Sequence, residues 1–365
     1  VKITAAVLRD PAGPPALEET ELAEPRADEV LVRVVAAGIC HTDLVAMAGH
    51  DPALPPLVPG HEGAGVVEAV GEDVEAVQPG DHVVISFGWC GLCPACCQGR
   101  MAYCANLVAL NYTGLRLDGS TAMTRDGAPI RGHFFGQSSW ATHSLTTERN
   151  VVRVPQEVPF EYLAPLGCGV QTGAGAVLNV LRPRRGSTIA IHGTGGVGLA
   201  AVMAAGIAGC SRIVAVDPDP RRRRLAEALG ATDLVDPAEG DPAKAIVELT
   251  GGGVEHAVEC AGRPEAVRAA VASLAAPGMC VTVGFRGGAN PVELDQTMLM
   301  MGRGIRGSIE GDAIPQRFVP RLIEHHLAGD LPVERLVRTY SFADVNEAIA
   351  AARTGEAVKP VLVLP

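Results

Sequence analysis

The chain has 365 residues, of which 47% are hydrophobic and 19% charged, and a formal net charge of −11. That length exceeds one ordinary hydrophobic core, so two domains are expected, and the composition excludes a disordered chain. The acidic balance argues against a nucleic-acid partner, and no uncharged apolar run or N-terminal signal pattern points to a membrane or to export, so a cytosolic enzyme is the simplest expectation.

The first ~150 residues are rich in Gly, Pro and short alternating apolar stretches, the pattern of strands joined by turns. Val30–Val35 and Gly65–Val70 are two such strands, with Pro79-Gly80-Asp81 as a turn signal. An antiparallel, barrel-like β domain with chemistry on its loops is predicted. The pattern changes near Cys168. Thr188–Ile191 reads as a buried strand, Gly196–Ala208 as a small-residue helix, Arg212–Val216 as a strand and Pro220–Leu229 as a helix. Val254–Glu259 and Met279–Gly284 continue the rhythm, which predicts a parallel sheet covered on both faces. The four arginines Arg221 to Arg224 read as a solvated helix face. Beyond Ile309 come two helical patterns, Gln316–Leu327 and Ala343–Arg353, and a strand at Lys359–Leu364. This tail is expected to fold back onto the first domain.

Ten cysteines without an export signal fit metal ligands and buried thiols better than a disulfide scaffold. Cys90, Cys93, Cys96 and Cys104 are spaced C-x2-C-x2-C-x7-C. Four thiolates so close in sequence can close a tetrahedral shell, which zinc prefers in structural sites. Cys97 reads as a spare thiol beside the ladder. A second set is scattered: Cys40 in Cys40-His41-Thr42-Asp43, His61 in Gly60-His61-Glu62-Gly63, and Cys168 between two glycines. Two Cys and one His make a three-ligand zinc shell with one open position, the catalytic arrangement. Taken singly, each of these residues has an ordinary core reading.

Gly193-Thr194-Gly195-Gly196-Val197-Gly198 is G-x-G-x-x-G, placed after a strand and opening a helix, as dinucleotide binding requires. The glycines allow a tight turn and close approach of the pyrophosphate, and the helix N-terminus stabilises its charge. Asp217, at the end of the second strand, would accept hydrogen bonds from the adenosine ribose and repel a 2′-phosphate, which favours NAD over NADP.

These segments resemble the zinc-containing medium-chain alcohol dehydrogenases over nearly the whole chain. Gly38-Ile39-Cys40-His41-Thr42-Asp43 and Gly60-His61-Glu62-Gly63-Ala64-Gly65 are similar to that family's two signature segments. Gly167-Cys168-Gly169-Val170-Gln171-Thr172-Gly173 is similar to the third-ligand segment of its aryl-alcohol (benzyl alcohol) branch. The resemblance implies a GroES-like β-barrel catalytic domain (1–169 and 310–365, with a zinc lobe at about 88–105) and a Rossmann domain (170–309). It implies two zinc ions per chain, a catalytic one on Cys40, His61 and Cys168 and a structural one on the cysteine ladder, with NAD as cofactor. Asp43 would hold the His61 ring. Glu62 would lie behind the metal, either as a transient ligand or as a structural carboxylate. Thr172 and Val197 would border the nicotinamide, Val283 and Ser308 would bind its carboxamide, Arg222 would lie near the ribose, and His41 and Lys359 near the pyrophosphate.

The implied reaction is oxidation of an alcohol with hydride transfer to the cofactor, Thr42 taking the hydroxyl proton. Well-known relatives carry a histidine three residues after that hydroxyl. Here the position is Val45, so the cofactor ribose and water finish the relay, or His41 assists. Ser86, Phe87, Phe134, Phe135 and Phe285 are the pocket candidates, five positions that include four of the seven Phe. They suit an aromatic or apolar primary alcohol and equally an ordinary core. Two alternatives remain: an S-(hydroxymethyl)thiol (formaldehyde-detoxifying) dehydrogenase, and a non-catalytic zinc and NAD sensor. A homodimer or homotetramer is expected.

Overall fold

The computed structural model describes residues 1–11, 13–49 and 54–365. Strands β1 (Lys2–Val7), β2 (Ala16–Leu22), β6 (Met123–Arg125) and β7 (Ala128–Ile130) form one antiparallel sheet in the order β1-β2-β6-β7. A larger sheet is built on β3 (Glu29–Gly38), whose Val-rich sequence is buried at every position except Arg33 and Val35, as befits a central strand covered on both faces. With β4 (Gly63–Val70), β5 (His82–Ile85), β9 (Val151–Arg153), β16 (Val337–Ser341) and β17 (Lys359–Val363) it gives the order β16-β17-β3-β4-β5-β9. β8 (His143–Thr147) pairs with β3 off that path. All these pairs are antiparallel except β16–β17, which is parallel.

The second sheet system comes from β10 (Thr188–His192), β11 (Arg212–Val216), β12 (Asp233–Val235), β13 (Val254–Glu259), β14 (Leu274–Thr282) and β15 (Arg303–Gly307). Its order is β12-β11-β10-β13-β14-β15 and every pair is parallel. The strand order reverses at β10, and such reversals are where doubly wound sheets bind ligands. The glycine motif follows β10 directly.

The chain divides into two compact units, Val1–Cys168 with Ile314–Glu324 and Pro332–Pro365, and Gly169–Ala313 with His325–Leu331. The second unit therefore keeps 310–313, which were expected to return to the first, and it takes 325–331 as well. The returning tail is fixed by burial. The helix Val345–Thr354 presents Val345, Ala348 and Ile349 at helical spacing and ends at left-handed Gly355. Those side chains and Phe342 and Leu362 share one core with Ile3, Leu8, Leu31, Trp140 and Leu145. Each large apolar side chain buried there contributes about 1.5–3 kcal/mol.

Element boundaries differ from expectation where local chemistry interrupts the pattern. β14 starts at Leu274 rather than Met279, because Pro277-Gly278 breaks the apolar run without ending the strand. The last helix starts at Val345 because Phe342–Asp344 form a tighter turn, with Ser341 Oγ accepting the Ala343 N–H. Arg221 to Arg224 are not one solvated face. Arg221 and Arg224 are exposed, whereas Arg223 donates to the Asp217 carbonyl and pairs with Asp236, and Arg222 lies 4.0 Å from the Asp217 carboxylate. No described helix is long and apolar enough to cross a membrane.

The fully buried helix Gly169–Gly175 meets the glycine motif at close range: a Cβ on Gly173 would stand 1.9 Å from the Val197 carbonyl oxygen. Gly173→Ala is expected to cost about 1–3 kcal/mol, read as a lower midpoint in thermal unfolding. Gly206→Ala, where a Cβ meets nothing within 4 Å in the helix Gly196–Ile207, is expected to hold or raise that midpoint. Equal midpoints for the two variants would contradict the packing account.

Candidate active site

Strand pairing assembles the scattered residues. β3 and β4 pair through Ala37 and Gly63, so Cys40, just past the end of β3, meets His61, just before β4. β4 pairs with β5 through Ala64 and Val84. At the end of β5, the Ser86 hydroxyl donates to the Gly167 carbonyl at 2.7 Å and pins the segment bearing Cys168. One ligand atom from each of Cys40, His61 and Cys168 lies within 4.8 Å of the others. Ser86, expected in a pocket wall, is fully buried and spends its hydroxyl on that support.

The fit to a metal ion rests on His61. Its Nδ1 lies 2.7 Å from Asp43 Oδ1, and a carboxylate accepts, so the ring proton sits on Nδ1. That leaves the Nε2 lone pair aimed at the two sulfurs, and Nε2 is buried without a hydrogen-bond partner. The hydrogen bond with Cys168 draws the Cys40 thiol well below its ordinary pKa, against the burial that opposes ionisation, and His61 and Lys359 add to it. An imidazole nitrogen and two thiols, one of them drawn toward ionisation, within 4.8 Å of one another form a donor set that suits zinc. Asp43 also accepts the N–H groups of Cys40 (2.9 Å) and Gly60 (3.1 Å), so it ties both ligand segments together.

Glu62 is fully buried, and Gly38 leaves it room: a Cβ on Gly38 would lie 2.0 Å from Glu62 Oε2. Burial pushes the Glu62 carboxyl up to about 7, although Lys359 opposes this. Lys359, expected near the pyrophosphate, is instead 4% exposed, and its ammonium contacts both Glu62 oxygens at 2.8 and 2.9 Å and the Ile39 carbonyl at 3.4 Å. Gln137, which sequence reasoning passed over, bridges this segment by donating to the His61 carbonyl and accepting the Gly63 N–H, both at 3.0 Å.

An aromatic wall stands on His61. Phe135 stacks on its ring at 4.4 Å, Phe134 meets it edge-on at 5.8 Å, and Tyr112, also missed in the sequence, packs on Phe135 at 5.0 Å. Phe87, Phe134 and Phe135 share a cluster with Ala46, Leu57 and Ala102. Phe135 has φ +52°, a conformation costing a bulky residue about 1–3 kcal/mol. Asn150 holds the Phe135 carbonyl, and Ser138 Oγ accepts the Phe134 N–H. Phe285 lies in the second unit, 42% exposed. His41 and Thr42 open the helix His41–Met47, His41 exposed and Thr42 half-buried, while Val45 is buried.

Cys90, Cys93, Cys96 and Cys104 place their sulfurs within 4.8 Å of one another. The N–H groups of Cys90 and Asn106 donate to Cys104 Sγ, and that of Ala105 to Cys93 Sγ. The N–H groups of Ala105 and Cys96 draw Cys93 down to about 6, while burial pushes Cys96 up to about 12. Four sulfurs this close suit a divalent cation, which favours their ionised form. Exposed Cys97 turns toward the Leu92 carbonyl and stays outside the set.

In the second unit, Gly193 takes φ +90° at the turn after β10, and a Cβ on Gly198 would stand 1.9 Å from the Gly193 carbonyl oxygen. A Cβ on Gly195, which caps the helix opened by Gly196, would meet nothing within 4 Å. Tight turn, open approach and close helix contact are the three roles a phosphate loop gives its glycines. Buried Asp217 accepts the N–H groups of Thr194 and Asp219. Around it, Thr194 Oγ1, His192 Nε2 and Arg222 Nε are buried without partners, which suits a polar ligand on this edge. Val283 and Ser308 donate their N–H groups to the Glu259 and Thr282 carbonyls, so any contact with a carboxamide falls to their own carbonyls.

These features define a zinc-dependent dehydrogenase that uses a nicotinamide dinucleotide. Two family models match the chain, the alcohol dehydrogenase GroES-like domain over residues 26–156 and the zinc-binding dehydrogenase over 196–325. Geraniol dehydrogenase of Castellaniella defragrans is 45% identical, the match covering 100% of this chain and 98% of that protein. S-(hydroxymethyl)glutathione dehydrogenase of Escherichia coli is 34% identical over 99% of this chain and 100% of its own length. Benzyl alcohol dehydrogenase of Acinetobacter calcoaceticus, a solved structure, superposes with a TM-score of 0.97 at 40% identity over 100% of both chains. The chain belongs to the zinc-containing medium-chain alcohol dehydrogenase family and is an oxidoreductase.

Asp43→Ala is expected to lower zinc affinity about 10–100-fold, measured by competition with a chromophoric chelator. Asp43→Asn, which keeps an acceptor, is expected to lose less. Unchanged affinity in Asp43→Ala would show that the His61 ring needs no anchor.

Proposed function

We propose that the chain oxidises an apolar primary alcohol, aromatic or allylic, to its aldehyde with NAD as hydride acceptor, reversibly: RCH2OH + NAD+ gives RCHO + NADH + H+. The observation that carries this reading is the buried, unpartnered His61 Nε2 beside Cys40 and Cys168, with an aromatic wall on the same ring. Cys40, His61 and Cys168 would hold a catalytic zinc, and Cys90, Cys93, Cys96 and Cys104 a structural one. When bound there, zinc would supply Lewis acidity toward an alcohol oxygen and the nicotinamide would supply the hydride acceptor.

The residues of the chain do the rest. Thr42 both donates and accepts, so its hydroxyl takes the substrate proton and passes one on. Buried Val45 cannot continue that path, which leaves the cofactor ribose with water, or exposed His41, to release the proton. Buried Phe134 and Phe135 and half-buried Tyr112 surround the His61 ring with aromatic side chains and bring no charge to it, a poor setting for a carboxylate-bearing thiol adduct. That favours the substrates named for the geraniol and benzyl alcohol dehydrogenases over the S-hydroxymethyl thiol. Asp217 at the end of β11 supports NAD over NADP. Ten free cysteines suit a reducing compartment such as the cytosol.

For the assembly, we read a homodimer or homotetramer. β15 leaves a sheet edge, and the neighbouring helix Gln296–Met300 buries none of its residues, with Met300 78% and Met301 63% exposed. Open edges are normally covered, and a second copy of this chain is the occupant we propose. Met300→Lys with Met301→Lys is expected to shift the light-scattering mass toward the monomer. An unchanged oligomer would place the interface elsewhere.

NADH absorbance with benzyl alcohol, geraniol, ethanol and S-(hydroxymethyl)glutathione tests the activity. Expected kcat/KM is highest for the first two, with ethanol lower by at least about tenfold, higher with NAD than NADP, and lost on chelation. A preference for the glutathione adduct would move the protein to that branch, and no turnover at full zinc and dinucleotide occupancy would favour a sensor. In the same assay, an unchanged pH–rate profile in His41→Gln would remove His41 from proton release.

A further inference from the structure

The residues after Ser308 form a feature that the reaction above does not use. Glu310, Gly311 and Asp312 all have left-handed φ angles, +51°, +63° and +51°. Only the middle position holds the residue type that adopts this conformation freely, so the turn stores strain at Glu310 and Asp312. Polar bonds hold it in place. Asp312 accepts from the Ser308 hydroxyl at 2.7 Å and from the Arg306 guanidinium at 2.6 Å, and Asn179 donates to the Gly311 carbonyl at 3.1 Å.

The strain puts a carboxylate in the interior. Glu310 is 7% exposed, and its Oε2 accepts from Gln171 Nε2 at 3.0 Å and from the Thr172 hydroxyl at 3.3 Å. Two donors converging on one oxygen are the surroundings of an anionic acceptor. The turn also packs backbone to backbone on the helix that carries Gln171 and Thr172. A Cβ on Gly175 would lie 2.4 Å from the Gly311 carbonyl oxygen, and one on Gly311 would lie 2.5 Å from that of Gln171. On its other side this helix meets Val197 of the glycine motif through Gly173. Thr172 is thus clamped between the phosphate loop and the strained turn, and the clamp ends in the Glu310 carboxyl group, on whose Oε2 two donors converge.

We infer that Glu310 is a positioning residue of the cofactor site, holding Thr172 and setting a negative charge beside the nicotinamide that favours its oxidised, positively charged form. The inference rests on the reading of Thr172 as a neighbour of that ring. A purely structural clamp would affect both redox forms of the cofactor alike. A charge separates them, because NAD+ carries a positive nicotinamide and NADH a neutral one.

The test is a pair of dissociation constants, NAD+ by calorimetry and NADH by its fluorescence, on zinc-loaded protein. Glu310→Gln keeps the acceptor and removes the charge, and Glu310→Gly removes both side chain and strain. In each variant the ratio Kd(NAD+)/Kd(NADH) is expected to rise about five- to tenfold, the size of a partly screened charge–charge interaction across a protein interior. Glu310→Gly is expected to keep or raise the thermal midpoint, so the measurement survives if Glu310→Gln folds poorly. An unchanged ratio, or two affinities that fall in parallel, overturns the inference. Wild-type protein that binds neither dinucleotide overturns the nicotinamide reading, and this one with it.

Discussion

The first unit is organised around the cost of burying two thiols and an imidazole within 4.8 Å of one another. His61 Nε2 is buried without a protein hydrogen-bond partner, and an unsatisfied buried polar atom costs about 1–3 kcal/mol. The surrounding structure does nothing to relieve that cost and holds the arrangement open. Asp43 fixes the ring and both flanking backbones, Gln137 clamps the backbone on either side of Glu62, and Ser86 secures the Cys168 segment. Such a site is a preformed receptor for a cation, and the binding of that cation is also what makes the unit's interior electrostatically consistent. Lys359 fits the same logic. It arrives on β17, from the far end of the chain, and neutralises Glu62 behind the ligands, so the return of the tail completes the site as well as the core.

The second unit depends on clearance instead of charge. Gly173, Gly198 and Gly175 each sit where a single added carbon would meet a backbone oxygen at 1.9 to 2.4 Å. Three backbone segments therefore pack at distances that side chains would prevent: the glycine motif, the helix after Cys168, and the turn at Gly311. Close backbone packing leaves little room for adjustment, so a polar group carried on any of these segments is held in one place. Glu310 is a buried acid so held, on the turn at Gly311, and Asp217, after β11, is tied to the glycine motif through the Thr194 N–H.

What could be read in the sequence follows from how local each signal is. The cysteine ladder lies within fifteen residues and the glycine motif within six, so spacing and flanking elements sufficed for both. β10 and β11 were legible because their apolar runs, Ile189–Ile191 and Ile213–Val216, are uninterrupted, and β13 through its place in the strand–helix rhythm. β15, Arg303-Gly-Ile-Arg-Gly, has no such run, since an edge strand buries little and needs no apolar face. Cys40, His61 and Cys168 were grouped by ligand type and needed the resemblance as well, because strand pairing that joins distant residues leaves no periodic trace. The Lys359–Glu62 pair spans 297 residues and left no sequence signal for that reason. Gln137, Tyr112 and Glu310 carry no motif at all. Their roles lie in a carboxamide bridge, a ring stack and a strained φ angle, all of them properties of coordinates.

On the proposed reaction, Val45 bears on both the apolar setting and the proton path within one short helix. Thr42 opens the first turn of His41–Met47, half-buried, and Val45 follows three residues on, 5% exposed. The next residue, Ala46, packs with Phe87, Phe134 and Phe135 in the aromatic cluster that carries the wall on His61. A histidine at position 45 would place a group that must gain and lose charge in this apolar setting, and desolvation would drive its pKa down and weaken it as an acceptor. An aliphatic residue there is compatible with the apolar wall. On the proposed reaction, buried Val45 offers no side-chain relay beyond Thr42 and adds no polar group next to the apolar cluster that holds Ala46, so a proton exit through solvent or cofactor and an apolar alcohol site would both be compatible with this residue.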